Sequence, residues 1–149
     1  MRAWSFQQPW LHAILHLGKR LDNRPRGLSY RGEVLLHASA GGTRKAYAEA
    51  TTHIERVVGL SWDATRLTLV GGICGVARVV DCHAPGSLLL RGEPWYMPER
   101  DGVPQYGIIL ADVAPVPFTA CKGALGLWTY EPRGELLEAV EAWRQRVAA

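Results

Sequence analysis

The chain has 149 residues, enough for one domain around one core, and 48% apolar with 21% charged residues is ordinary globular composition that argues against long disordered regions. No stretch approaches the roughly 18 uninterrupted apolar residues of a membrane span, and the N-terminus lacks the apolar run and cleavage site of a secretory signal, so a cytoplasmic, membrane-free protein is expected. A net charge of +3 does not by itself imply nucleic-acid binding, but its distribution is uneven. Residues 1–45 hold eight Lys/Arg against Asp22 and Glu33, whereas residues 46–149 hold nine against twelve acids, a pattern that suits one basic face.

In chain order, Arg2 to Phe6 reads as a short strand. Pro9 suits the start of a helix whose apolar side is Trp10, Leu11, Ile14, Leu15 and Leu17, and Gly18 ends it. Residues 19–24 alternate like a strand, with Arg20, Asp22 and Arg24 on one side and Leu21 and Asn23 on the other. After the turn-rich segment 25–32, Glu33 to Ala38 reads as a buried strand. Thr43 is a candidate N-cap for a helix marked by Ala46, Ala50, Ile54, Val57 and Val58. Ile73 to Val80 is an apolar strand whose glycine signals a bulge or close backbone approach. Residues 84–105 form a long Gly/Pro-rich loop with room for its own hairpin. Strands at Tyr106–Val113 and Leu125–Tyr130 follow, then an amphipathic helix at 133–147 marked by Leu136, Val140, Trp143 and Val147. Five to six strands with a few helices indicate an α+β fold in one domain, its sheet expected to curl toward a barrel whose closure the pattern does not fix.

Few residues carry a chemical signature on their own. Lys19, Asp22 and Arg24 could hold an anion, with Lys19 as a point charge, Arg24 as a planar fork and Asp22 orienting it, or they could form a surface ion pair worth under ~1 kcal/mol. Of Trp4, Trp10, Trp62, Trp95, Trp128 and Trp143, Trp10 and Trp128 are candidates for a cleft wall and Trp143 for the core. His12 and His16 lie four apart but lack a third ligand, so no metal site is expected, and Cys74, Cys82 and Cys121 lack zinc spacing and read as free thiols. His37 sits inside an apolar strand, where a satisfied core histidine competes with a role at the cleft. Lys122 could bring a further ammonium to it.

Taken together, several segments resemble the ASCH domain family of the PUA-like superfamily. Ser5-Phe6-Gln7-Gln8-Pro9-Trp10 is similar to its S-x-x-Q-P-W start, and Lys19 to Pro25 to its K-x-[VI]-E-N-R-P core, with Asp22 replacing glutamate. Tyr30 to Ala38, Gly75 to Asp81 and Lys122 to Trp128 resemble the family's later strands, so the likeness runs in order from residue 4 to 128. The resemblance implies a PUA-like β-barrel with flanking helices and a cleft that binds RNA, single-stranded DNA or a modified nucleoside, without a cofactor. On that reading Lys19, Arg24 and Lys122 hold phosphate, Asp22 and Gln8 read a base edge, Trp10 or Trp128 stacks, and Asn23 and His37 complete the cleft.

Two other functions remain open on the sequence. One is hydrolysis of nucleic acid or of an acylated nucleoside, with Lys19 and Asp22 catalytic; relatives that hydrolyse N4-acetylcytidine carry a threonine where Asp22 stands. The other is a protein-interaction module, for which Trp95, Tyr96 and Met97 would be exposed on the long loop.

Overall fold

The computed structural model describes residues 1–59, 61 and 69–149, so Trp62 lies outside the described residues. The main sheet has six strands: β1 (Arg2–Phe6), β2 (Leu21–Arg24), β3 (Gly32–Ala38), β4 (Gly72–His83), β7 (Tyr106–Ala120) and β8 (Leu127–Thr129). Their order is β2-β7-β4-β3-β1-β8, with β5 (Glu99–Arg100) and β6 (Val103–Pro104) forming a small hairpin inside the long loop. Helix α1 (Trp10–His16) follows β1, α2 (Arg44–Val58) follows β3, and α3 (Gly134–Ala148) ends the chain. The α+β expectation and the loop hairpin therefore hold. β4 and β7 outrun the sequence estimate because their outer halves are half-exposed, where the hydrophobic pattern fades.

Alternation along the strands sorts side chains onto two faces. Trp4, Phe6, Val34 and Leu36 pack with Leu11 and Ile14 of α1 in the barrel interior. Ala3, Leu35, Ile73 and Val76 point the other way, beneath Leu136, Val140 and Trp143 of α3. A third cluster joins Trp10 and Ala13 of α1 to Ala50 and Ile54 of α2 and to Trp95 of the long loop.

The sheet is curled because its central ladders are irregular. The β4–β7 register shifts between Ile73 and Gly75, between Val76 and Arg78 and between Val79 and Asp81, and β3 shifts between Leu36 and His37. Each extra residue bends its strand and sharpens the local twist. The curl brings the β2 end of the sheet round toward β1 without a backbone ladder joining them: β2 pairs with β7, and β1 with β3 and β8. Side chains cross that seam, and Arg24 Nη2 of β2 donates to the Ser5 carbonyl of β1 at 2.9 Å.

Candidate functional site

The seam between β1 and β2 is an open cleft of about 340 Å³, lined by Ser5, Phe6 and Gln7 on one side and Asp22, Asn23 and Arg24 on the other. Trp10 of α1, Arg100 of the hairpin, Ser39 after β3 and Leu125 before β8 complete its wall.

Local sequence places the charges. Gly18 takes φ +77 after α1, a left-handed conformation that costs glycine little, and the turn lets Lys19 N–H donate to the Ala13 carbonyl. Lys19 thereby points inward. Its side chain is 1% exposed, and its ammonium donates to the Leu21 carbonyl at 2.5 Å and to Asp22 Oδ1 at 3.4 Å, 5.3 Å from the centre of the Trp10 ring. Burial drives its pKa below the ordinary lysine value, against the opposing pull of Asp22.

Asp22 is the centre of the arrangement. Arg24 Nε donates to its Oδ2 at 2.5 Å while Lys19 approaches the other oxygen. Burial pushes this carboxyl upward, but Arg24 and Lys19 outweigh it and hold the pKa below the usual carboxylate range. The Arg24 guanidinium carbon sits 4.1 Å from the centre of the Trp4 ring and 5.0 Å from that of Phe6, cation–π contacts that help hold it at the cleft.

Other sequence-selected residues are placed differently. Lys19 does not line the cleft, so it cannot serve as a mobile phosphate contact; its ammonium is the internal partner of Asp22. Gln8 is engaged elsewhere: its Oε1 accepts from His12 N–H at the start of α1, and its Nε2 donates to the Leu69 carbonyl. Gln7, one residue earlier, faces the cleft instead. Asn23 borders the cleft, but its amide donates to the Trp95 carbonyl at 2.9 Å and accepts from Met97 N–H at 2.8 Å, tying the long loop to β2. That tie, with the packing of Trp95 against the helices, leaves Trp95 buried and Tyr96 and Met97 half-buried rather than exposed. Trp10 contributes one edge to the wall and buries the rest, while Trp128 packs edge-on against His37 at 5.3 Å beneath α3 and lines neither this cleft nor its neighbour. Trp143 is core, its indole N–H donating to the Asp112 carbonyl.

His37 and Lys122 line an adjoining cavity of about 380 Å³ that shares Ser5, Ser39 and Leu125 with the first. Arg100, Gln7, Ser39 and Leu125 were not selectable from sequence, since each lies outside the charged motif and reaches the seam through the fold. The 99% exposure of Leu125 is the plainest signal, an apolar side chain held at the rim of both cavities.

Among solved structures, the chain is similar to two single-residue variants of ZmASCH from Zymomonas mobilis, a serine-to-alanine and a tyrosine-to-phenylalanine protein. Both are 15% identical to it, with TM-scores of 0.53 and 0.52, covering 95% of this chain and 94% and 96% of theirs. No protein-family model and no curated protein matches the chain. The structural likeness shows an ASCH-like fold.

Proposed function

From an ASCH-like fold whose seam holds a charged cleft, we propose that this protein binds a nucleobase there, presented by RNA, by single-stranded DNA or by a modified nucleoside. The observation that carries the proposal is Asp22: a carboxylate held ionised by Arg24 and Lys19 at the wall of an open cleft, with lone pairs left over. An ionised acceptor beside aromatic edges suits the ring N–H and amino groups of a base. Gln7 supplies a second, neutral edge-reading group, and Trp10, Phe6 and Leu125 supply apolar surface for the base plane. Arg24 and Arg100 at the cleft, with Lys122 at the adjoining cavity, are cations that would meet a sugar-phosphate.

Because Lys19 is sealed behind Asp22, it acts in this reading by keeping the carboxylate charged and fixed rather than by touching the ligand. Calorimetric titration with the free nucleosides and with short unstructured RNA and DNA tests the proposal. Asp22→Asn should weaken binding about 10-fold or more, the cost of a lost charge-assisted hydrogen bond. Equal affinity in the wild type and Asp22→Asn, with both folded, would overturn it.

A further inference from the structure

We propose that the adjoining cavity carries a second, covalent chemistry: Ser5 and His37 form a nucleophile–base pair that accepts the acyl group of a carboxylic ester. Ser5 Oγ lies 3.0 Å from His37 Nδ1, and His37 Nε2 lies 2.9 Å from the Cys121 carbonyl. A carbonyl oxygen only accepts, so Nε2 carries a proton, and in the neutral ring Nδ1 then presents its lone pair to the serine hydroxyl. This is the tautomer a general base needs, and a third group orients it, as in the familiar nucleophile–base–orienter arrangement.

The packing keeps the pair in register. His37 is 2% exposed, with the Trp128 ring edge-on at 5.3 Å and 81°. Gly123 passes so close that a Cβ on it would lie 2.6 Å from His37 Cε1 and 2.7 Å from Ser5 Oγ. A histidine needed only to tie β3 to the 121–126 segment would use one ring nitrogen; here the other faces a hydroxyl that borders two cavities.

The cavity selects the substrate class. Its wall is largely small and apolar, from Ala40, Gly71, Gly123, Ala124 and Leu125, with Lys122 the one cation among the described residues that line it. That lining suits a short acyl chain. Cys121 also lines it, but burial raises its thiol pKa, which disfavours a competing thiolate. Lys122, Gly123 and Ala124 line the same wall, and no backbone hydrogen bond engages their N–H groups among the described residues.

In the first half-reaction Ser5 Oγ bonds to the ester carbonyl carbon as its proton passes to His37 Nδ1. The carbon–oxygen bond to the alcohol then breaks, and the alcohol leaves with that proton. In the second, water adds to the acyl carbon and gives a proton to Nδ1, after which Ser5 departs and regains it. The net reaction is ester plus water to acid plus alcohol.

The test is a p-nitrophenyl butyrate burst on the full chain, with peptide mass spectrometry to locate the acyl group. This ester carries no base, so its outcome is separate from nucleobase binding. One butyryl group on Ser5 is expected, with loss of the burst in Ser5→Ala and slowing by roughly 10²–10⁴-fold in His37→Gln. Wild-type protein that stays unmodified at Ser5, or acylation unaffected by His37→Gln, would overturn the proposal.

Discussion

Asp22 shows how a single side chain acquires a property from its neighbours. A carboxylate buried alone would tend to take up a proton; flanked by a guanidinium and an ammonium it stays charged, and its folded pKa falls below the unfolded one. The ion pairs then contribute stability that is fully present above the unfolded pKa, about 4, and is lost as pH falls through the lower folded value. Asp22→Asn removes this titration. Its melting temperature should therefore be lower than wild type near pH 7, with the difference shrinking below about pH 4, as thermal unfolding followed by circular dichroism between pH 2 and 7 would reveal. Parallel curves for the two proteins across that range would contradict the assignment.

At the scale of elements, the long loop is held by the side-chain amide of one asparagine on β2, bonded to the loop backbone, and by Trp95 wedged between α1 and α2. Asn23→Ala leaves the Trp95 carbonyl and the Met97 N–H without their partner, at a cost of about 1–3 kcal/mol. Amide exchange should then accelerate at residues 95–97 ahead of the sheet, and unchanged protection there would show that Trp95 alone anchors the loop. Strand and helix positions were legible in the sequence because alternation and 3.6-residue periodicity report burial directly, as Thr43 capping α2 illustrates. The charged motif was legible as a cluster. The inward turn of Lys19 was not, because it depends on the φ of Gly18 and a bond back to α1; nor was the choice of Gln7 over Gln8, since two adjacent glutamines look alike until one is used to start a helix. Arg100 and Leu125 come from segments about 80 and 100 residues away in sequence, and pattern reading has no access to such distances.

On the scale of the whole molecule, part of the basic excess of the first 45 residues is already engaged within the chain. Arg31 faces Asp81 at 3.6 Å, Lys45 approaches Glu49 at 3.8 Å, and Arg20 donates to the Ile14 carbonyl at the end of α1. With so few cations at the cleft, a single-stranded ligand should release counterions from only one to three phosphates. The log–log dependence of its affinity on salt should then have a slope between about −0.7 and −2, measurable by fluorescence anisotropy from 50 to 300 mM salt. A much steeper slope would point to an extended track elsewhere on the surface. The seam itself has a mechanical consequence. Among the described residues β1 and β2 share no row of amide-to-carbonyl rungs but are joined by the Arg24 guanidinium, and any guest that touches both banks adds the rungs left out there, so filling the gap and stiffening the barrel become the same event.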